Sequence, residues 1–320
     1  MKVLVTGGAG YIGSHMVKVL AASGAEVWVI DDLSTGHADA VRGAQLVRGD
    51  IADIPNTANL LKKRRIEAVV HFAGASLVAE SVANPAKYQA RNVDASLALL
   101  EAMRHAGVTR IVFSSSAAVY GDPQRVPIDE THPTQPVNPY GASKLAVERK
   151  LTECGAAYGL RAVSLRYFNA AGADDGLGER HDPETHLIPR ILKAALQKTA
   201  ISIYGTDYPT RDGTCVRDYV HVADLCTAHL LALERLEQGH ECFNLGNGEG
   251  FTVMEVVEAA RRATGRRIEI QLSARRAGDP AALVADATKA RRVLGWQPRR
   301  STLERIVADA WQFEQISSAR

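Results

Sequence analysis

Short apolar runs alternate with segments of helical periodicity along the first half of this chain. Val3-Leu4-Val5 and Ile111-Val112-Phe113 are continuously apolar, as strands buried on both faces of a sheet should be. This alternation predicts βαβ units and a parallel sheet covered by helices on both faces. Strands are predicted at 2–6, 26–31, 44–48, 67–72, 110–115 and 161–167.

The pattern changes after about Asn169. Residues 170–185 are rich in Gly, Asp and Glu, which predicts a long loop. The predicted fold is α/β, with a Rossmann-type doubly wound parallel sheet over 1–168 and a smaller C-terminal α/β substrate-binding domain over 169–320. Helices are predicted near 187–198, 222–236 and 252–263, with strands near 201–204 and 241–246. The last of these strands is a candidate to return to the first sheet.

Composition narrows the class of protein. The composition, with 46% apolar and 23% charged residues, is typical of an ordinary globular protein. A net charge of +2 gives no reason to expect nucleic acid or an anionic membrane as a partner. No apolar run approaches the roughly 18 residues of a membrane span.

Four scattered cysteines without a C-x-x-C pair argue against a zinc site or a disulfide framework. A strand begins directly after Met1, which leaves no room for a signal peptide, so the cytoplasm is the expected location.

A glycine-rich turn follows the first strand and opens the first helix. Gly8, Gly10 and Gly13 satisfy G-x-G-x-x-G, while Gly7, Gly10 and Gly13 satisfy G-x-x-G-x-x-G. Such a turn lets the backbone approach a pyrophosphate at the helix N-terminus. The second strand ends at Asp31, whose carboxylate can bind both ribose hydroxyls and repel a 2′-phosphate. The pattern therefore predicts a dinucleotide site that favours NAD over NADP.

Two further strand ends are candidates for the same site. Asp50-Ile51 follows the third strand, and Phe72-Ala73-Gly74 follows the fourth. Ligands of open parallel sheets bind outside the carboxyl ends of the strands. Ordinary turns would explain either sequence equally well.

Ser116, Tyr140 and Lys144 supply the parts of a proton-handling site for a hydroxyl group. Tyr140 and Lys144 stand at i and i+4, so on a helix they share one face. An ammonium group one turn away is expected to lower the pKa of the phenol. The Ser116 hydroxyl can donate and accept a hydrogen bond, and so could hold the substrate oxygen. Tyr-x-x-x-Lys alone is a weak signal, and its weight comes from the other motifs.

Together these motifs resemble the extended short-chain dehydrogenase/reductase superfamily and, within it, the 4-epimerases of UDP-hexoses. The resemblance runs from residue 2 to at least Trp296 and rests on several motifs in order. They are His71-Phe72-Ala73-Gly74, Ser114 to Gly121, Arg166-Tyr167-Phe168-Asn169, Tyr208-Pro209-Thr210, Gly213 to Val222 and Arg275 to Pro280.

The resemblance implies an NAD-dependent enzyme that interconverts UDP-glucose and UDP-galactose. Tyr140 would deprotonate the sugar 4-hydroxyl, and a 4-keto sugar would rotate before it is reduced on the other face. Lys144 would bind the nicotinamide ribose and Ser116 would steady the 4-oxygen. The implied cofactor-binding residues are Gly7, Gly10, Tyr11, Ile12, Gly13, Asp31, Asp50, Ile51, Phe72, Ala73, Gly74, Ser76, Asn92, Ser114, Tyr140, Lys144 and Phe168.

The resemblance also implies a UDP-sugar site in the second half of the chain. Arg217 and Arg276 suit the diphosphate, because guanidinium groups bind phosphate oxygens through two hydrogen bonds. A surface charge is the preferred interpretation of Arg275. The implied substrate-binding residues are Ser116, Tyr140, Asn169, His186, Leu187, Ile203, Tyr204, Arg217, Arg276, Asp279 and Leu283. No metal is expected, since NAD carries the redox chemistry.

Three positions depart from the family pattern. Ser76 stands where some members carry a cofactor-binding Lys, and His186 stands where some carry Asn. Leu283 replaces a Tyr of some members, and a smaller residue there tends to leave space for an N-acetyl group on the sugar. UDP-N-acetylglucosamine, UDP-glucuronate and UDP-pentoses therefore stay open as alternative substrates.

Two other functions compete with 4-epimerisation. Sugar 4,6-dehydratases of this superfamily usually place an Asp-Glu pair where this chain has Ala117-Ala118, which excludes water elimination. A non-catalytic NAD-sensing regulator commonly loses the Tyr or Lys that is present here. The family usually forms a homodimer through two helices of each subunit, which match about 85–105 and 140–158.

Overall fold

A parallel sheet forms the centre of the protein, and six of its seven strands come from residues 2–167. The computed structural model describes residues 1–276 and 279–318. The strands are β1 (Lys2–Thr6), β2 (Glu26–Asp31), β3 (Gln45–Arg48), β4 (Ala68–His71), β5 (Arg110–Ser116) and β6 (Arg161–Tyr167). All six confirm predicted strands, with ends that differ by one residue at most.

Helices cover both faces of this sheet because the buried strands are apolar on both sides. Successive side chains of β1 point to opposite faces, so Val3 lies in one buried core with Met16 and Leu225, whereas Leu4 lies in a second core with Leu61 and Leu99. The helices of this half are α1 (Tyr11–Ala22), α2 (Ile54–Arg64), α3 (Val78–Ala83), α4 (Pro85–Tyr88), α5 (Ala95–Ala106) and α6 (Pro139–Tyr158). A short π-helical segment, Gln89–Asp94, joins α4 to α5.

The second half of the chain builds a smaller α/β unit. Its elements are β7 (Asn169–Ala171), α7 (Leu187–Gln197), β8 (Ala200–Tyr204), β9 (Val216–Arg217), β10 (Tyr219–His221), α8 (Val222–Glu234), β11 (Gly239–Leu245), β12 (Phe251–Thr252), α9 (Val253–Thr264), β13 (Glu269–Ser273), β14 (Ala282–Leu283), α10 (Thr288–Leu294) and α11 (Leu303–Ser318). Ile191, Val256 and Ile306, from α7, α9 and α11, share a separate buried core. Among the described helices, none is long and apolar enough to cross a membrane.

The strand predicted near 241–246 does return to the first sheet. β11 pairs in parallel with β6 along its whole length, from Gly239 opposite Arg161 to Leu245 opposite Tyr167. The complete strand order is β3-β2-β1-β4-β5-β6-β11, which reverses direction at β1 as in a doubly wound fold. The α/β Rossmann-type prediction is therefore confirmed. A domain boundary at 168/169 stays a prediction, because β11 and α8 pack with strands of the first half.

Candidate active site

One large cavity opens at the carboxyl ends of the central strands. Its volume is about 930 Å³, and residues of both halves of the chain line it. This is the edge of an open parallel sheet at which ligands bind, where the strand order reverses.

The glycine turn forms the floor of one end of the cavity. Gly7 has a φ of +69°, and a side-chain carbon at this position would lie 2.6 Å from the backbone nitrogen of Ala73. A carbon on Gly13 would lie 2.1 Å from the carbonyl oxygen of Gly7. Only glycine therefore allows β1, the turn and α1 to approach this closely. Gly10, which precedes α1, makes no side-chain cap, so the first amides of the helix stay available to an anion.

Asp31 lies at the end of β2 beside this turn and is only 8% exposed. Its carboxylate accepts hydrogen bonds from the backbone N–H groups of Ala9, at 3.0 Å, and Leu33, at 2.9 Å. Burial raises the pKa of Asp31, while these two hydrogen bonds act in the opposite direction. Each carboxylate oxygen keeps a lone pair that can accept a ribose hydroxyl.

Next to Asp31, Arg91 donates to Asp32 Oδ2 at 2.6 Å and lies 3.8 Å from Asp50 Oδ2. Both carboxylates line the same part of the cavity. A guanidinium group already paired with two carboxylates is a poor ligand for a 2′-phosphate. Arg91 and Asp32 were not identified from the sequence as residues of this site.

Tyr140 and Lys144 lie on the first turns of α6, as their spacing predicted. Asn138 caps this helix by accepting a hydrogen bond from Gly141 N–H at 2.8 Å, and Pro139 occupies its first turn. Lys144 is 5% exposed and donates from Nζ to the carbonyl oxygen of Ser114 at 2.8 Å. Its Nζ lies 5.8 Å from the centre of the Tyr140 ring.

Ser116 completes the proton-handling group from the end of β5. It caps a 3-10 turn, Ala117–Val119, and its hydroxyl accepts a hydrogen bond from Ala118 N–H at 3.2 Å. Ser116, Tyr140 and Lys144 all line the cavity. The structure therefore brings together the three residues that the sequence predicted to act as a unit.

The pKa of Tyr140 corrects one expectation. Burial raises the pKa of this phenol above its usual value of 10, and the Ser116 hydroxyl opposes that shift. The predicted lowering by Lys144 is not among the causes of this shift, and the Lys144 ammonium group donates to the Ser114 carbonyl oxygen. Burial also lowers the pKa of Lys144 to about 8, against the opposing effect of Glu148.

A buried polar network lies behind this helix face. Glu148, one turn after Lys144, forms an ion pair with Arg166 in which Arg166 Nε lies 2.9 Å from Glu148 Oε1. Ser115 Oγ donates to the same oxygen at 2.5 Å. Arg166 also donates to the Tyr120 hydroxyl at 3.0 Å, which in turn donates to Asn244 Oδ1 at 2.6 Å. The network links α6 to β5, β6 and β11 and so fixes the position of Lys144.

The predicted substrate residues fall into two groups. Arg217 projects into the cavity, where its Nη1 donates to the Pro280 carbonyl oxygen at 2.9 Å and its Nη2 lies 3.3 Å from Asp279 Oδ1. Asn169 is held by a hydrogen bond from Nδ2 to the Asp218 carbonyl oxygen, at 2.8 Å. The predicted substrate residues that line the cavity are Ser116, Tyr140, Asn169, His186, Arg217, Asp279 and Leu283.

The other predicted substrate residues lie outside the described cavity lining. Ile203 is 1% exposed and packs in the core of the second half, against which Leu187 also packs. The guanidinium group of Arg276 stacks on the Tyr204 ring at 3.9 Å, on the exposed side of β8. Arg275 forms a surface ion pair with Asp207 at 2.7 Å, which agrees with its interpretation from the sequence as a surface charge. Within the same motif, Ala277 and Gly278 lie outside the described residues.

Of the predicted cofactor residues, Asn92 alone is not among the described residues that line the cavity. It is 3% exposed and accepts a hydrogen bond from Ala75 N–H at 2.7 Å. Its Nδ2 donates to Ser143 Oγ at 3.0 Å. Asn92 therefore holds the loop after β4 against α6, from behind the cavity wall. Ser76 does line the cavity.

The loop between β7 and α7 adds residues that sequence reasoning missed. Glu179 and His181 line the cavity beside His186, and Glu184 lies next to them. Burial alone would lower the pKa of His186, but hydrogen bonds with Glu179 and Glu184 outweigh it and raise this pKa to about 10. The Glu-x-His and Glu-x-His pairs in this segment were a signal that could have indicated the cluster.

Comparisons with known proteins agree with this geometry. Residues 3–246 match the NAD dependent epimerase/dehydratase family. The chain is 54% identical over 316 residues to a UDP-glucose 4-epimerase of Streptomyces lividans, covering 98% of this chain and 95% of that relative.

Solved structures of similar proteins contain the expected ligands. A UDP-glucose 4-epimerase from Brucella ovis in complex with NAD is 49% identical, has a TM-score of 0.95 and covers 97% of both chains. A UDP-glucose 4-epimerase from Bifidobacterium longum in complex with NAD+ and UDP is 37% identical, has a TM-score of 0.94 and covers 99% of both chains.

Proposed function

This chain belongs to the NAD dependent epimerase/dehydratase family, and from that premise we propose that it is a UDP-glucose 4-epimerase. It interconverts UDP-glucose and UDP-galactose by oxidation at C4, rotation of the 4-keto sugar and reduction on the opposite face. The observation that carries this proposal is the position of Ser116, Tyr140 and Lys144. They lie in one cavity, between the glycine turn and Arg217.

The residues present fit NAD. The close backbone approach at Gly7 and Gly13 leaves the N-terminus of α1 open for a pyrophosphate, and the Asp31 carboxylate at the end of β2 would accept the hydroxyls of the adenosine ribose. Lys144 and Tyr140 would hold the nicotinamide ribose at the other end of the cavity. When bound, NAD supplies the acceptor and donor for the hydride of C4.

The glycine turn supports a direct prediction. Gly13→Ala should greatly reduce the NAD that copurifies with the protein, because the new methyl group would lie 2.1 Å from the Gly7 carbonyl oxygen and must displace the turn. NAD content per chain can be measured after denaturation. Gly24→Ala is the control: its φ of +82° makes the backbone locally strained, but its methyl group meets nothing within 4 Å and it lies beyond the C-terminal end of α1, so the variant should keep the NAD content of the wild type. Full NAD content in Gly13→Ala would contradict the assignment.

The chain's own residues handle the proton of the 4-hydroxyl. Tyr140 takes this proton as the sugar is oxidised and returns it to the 4-oxygen as the sugar is reduced. The Ser116 hydroxyl holds the same oxygen in line with the phenol. Lys144, with its depressed pKa of about 8, is the cation that compensates a phenolate in this buried site.

Sugar rotation requires that the nucleotide be held more firmly than the hexose. Arg217 and Asn169 are fixed by hydrogen bonds to the backbone, so they can bind the diphosphate without reorganising. Ala117, Ala118 and Leu283 also line the cavity, and we place them beside the hexose. None of these side chains has a polar group to fix the hexose in one orientation. Ala117 and Ala118 also cannot supply an acid or base for dehydration.

Leu283 is proposed to set the sugar specificity. It lines the cavity and packs beside a cluster that contains Ala117, Tyr120 and Leu145. Leu283→Tyr should reduce turnover of UDP-N-acetylglucosamine by about tenfold or more, because the larger ring would occupy the space of the N-acetyl group. Turnover of UDP-glucose should change less. Leu283→Met conserves volume and should leave the ratio of the two activities near that of the wild type.

A substrate panel tests both the function and the alternatives. Wild-type protein is incubated with UDP-glucose, UDP-N-acetylglucosamine, UDP-glucuronate and UDP-xylose, and each 4-epimer is quantified. We expect conversion of UDP-glucose, with UDP-N-acetylglucosamine as the second substrate. Conversion of the uronate or pentose alone would overturn the hexose assignment. An equal loss of both hexose activities in Leu283→Tyr would overturn the role of Leu283.

The enzyme is further proposed to act as a cytoplasmic homodimer, with α5 and α6 of two subunits forming a four-helix bundle. Ala142 and Ala157 are exposed on α6, and Leu97 on α5 is only partly buried. Small and apolar positions of this kind suit helix packing. Light scattering should give twice the mass of one chain, even after dilution. A monomer would contradict the dimer, and recovery of the activity in the membrane fraction of cells would contradict the location.

A further inference from the structure

The loop that joins β7 to α7 brings together four side chains, two Glu and two His, of types that commonly bind metals. Glu179, His181, Glu184 and His186 each offer one ligand atom, and these atoms all lie within 4.8 Å of one another. His186 Nδ1 lies 2.7 Å from Glu179 Oε1 and 3.1 Å from Glu184 Oε1. His181 Nδ1 lies 2.9 Å from the same oxygen of Glu179.

The direction of these groups favours a shared cation. Two imidazole nitrogens are directed at a single carboxylate oxygen, although the ring centres are only 5.3 Å apart. One cation bound between the two rings and the carboxylates would replace the protons that these hydrogen bonds otherwise require. Neighbouring ligand atoms in a tetrahedral zinc site are about 3.3 Å apart, given bonds of about 2.0–2.1 Å. The distances of 2.7, 2.9 and 3.1 Å here are shorter, as hydrogen bonds are, so these side chains must move apart slightly to bind a metal.

Glu184 supplies an independent observation. Its side chain is only 6% exposed. One of its oxygens, Oε2, is buried and has no hydrogen-bond partner within the described ranges 1–276 and 279–318. A buried charged oxygen without a partner is costly in free energy. The other oxygen, Oε1, already accepts a hydrogen bond from the backbone N–H of His186 at 2.8 Å, so Oε2 is the oxygen left for a cation to bind.

The same loop connects the second half of the chain to the glycine turn. Tyr11 donates from its hydroxyl to the Gly172 carbonyl oxygen at 2.6 Å, and Lys18 pairs with Asp174 at 2.6 Å. Arg180, between Glu179 and His181, pairs with Asp39 at 2.9 Å. A cation that fixes the loop would therefore also fix this wall of the cavity.

We propose that Glu179, His181, Glu184 and His186 bind one divalent transition-metal cation with the preferences of Zn²⁺. Two imidazole nitrogens and two carboxylate oxygens form a ligand set that suits Zn²⁺. The cation has a structural role, since it closes the loop and takes no part in the reaction at C4. The sequence prediction that the chemistry needs no metal is unaffected by it.

The test measures zinc binding by the full chain without an affinity tag. Protein stripped with a chelator is loaded with zinc chloride, freed of excess metal by gel filtration and analysed for zinc and protein. We expect about one zinc ion per chain and a higher midpoint of thermal unfolding with zinc than with chelator. Glu184→Gln and His181→Gln should each weaken zinc binding by at least about tenfold.

A matched control is available on α5. His105 is exposed and lies 3.0 Å from Glu101 Oε1, so it forms a His–carboxylate pair without further ligands. His105→Gln should bind zinc as the wild type does. Wild-type protein that binds no zinc, and whose unfolding does not respond to it, would show that the cluster is a protonated His–Glu network. Unchanged zinc binding in both loop variants would place the metal elsewhere, for example on cysteine. Either result overturns the proposal.

Discussion

Tyr140→Phe should lower the rate of interconversion of UDP-glucose and UDP-galactose by about 10²–10⁴-fold, the range usual for loss of a general acid–base group. The ring stays and only the hydroxyl is lost, so the cavity keeps its shape. The amount of bound NAD should remain that of the wild type, because Asp31 and the glycine turn are unchanged. Initial rates with UDP-galactose and NAD released on denaturation provide the two readouts.

The matched control for this variant lies on the same helix. Tyr158 ends α6, outside the cavity lining, so Tyr158→Phe removes a phenol hydroxyl without touching the site. Its turnover should equal that of the wild type. Near-normal turnover in Tyr140→Phe would refute the assignment of Tyr140 as the proton-transfer group.

Arg166→Met should destabilise the protein by about 3–5 kcal/mol, because it leaves the Glu148 carboxylate buried without its partner. The side chains of Glu148 and Arg166 are 3% and 7% exposed, respectively. Solvent cannot replace the lost guanidinium group at that depth. The free energy of unfolding from denaturant titration measures the effect. Turnover should also fall, since Glu148 is one turn from Lys144 on α6.

Two controls separate the buried charge from a general effect of losing arginine. Arg104→Met removes a surface ion pair with Glu101, in which the side chains are 52% and 39% exposed. It should cost no more than about 1 kcal/mol. The double variant Glu148→Met/Arg166→Met removes both buried charges and should recover much of the stability lost in the single variant. A double variant that is less stable than Arg166→Met would contradict this account of the pair.

Much of the fold could be predicted because the signals are local. A strand buried on both faces must be apolar throughout, so Val3-Leu4-Val5 and Ile111-Val112-Phe113 indicate central strands of the sheet. The contact between Tyr140 and Lys144 depends only on the pitch of one helix. Helix capping by Asn138 and Pro139 is equally local.

Features that join distant segments could not be predicted in this way. The pairing of Glu148 with Arg166 depends on how α6 packs on β6, and the hydrophobic periodicity of the sequence contains no information about it. Burial raises the pKa of Tyr140, and the depth of burial cannot be deduced from the i, i+4 spacing of Tyr140 and Lys144. The positions of Ile203 and Leu187 in a core could not be predicted either. An apolar residue in a sequence is compatible with burial in a core and with a ligand site, so the two roles cannot be distinguished.

Turnover without added cofactor tests the central claim most directly. Purified wild-type protein is incubated with UDP-galactose in buffer that contains no NAD, and the formation of UDP-glucose is followed. An epimerase that keeps its own NAD and restores it in each cycle should convert UDP-galactose to an equilibrium mixture with UDP-glucose. A protein that releases NAD on denaturation yet converts no UDP-hexose would contradict the account and indicate an NAD-sensing regulator.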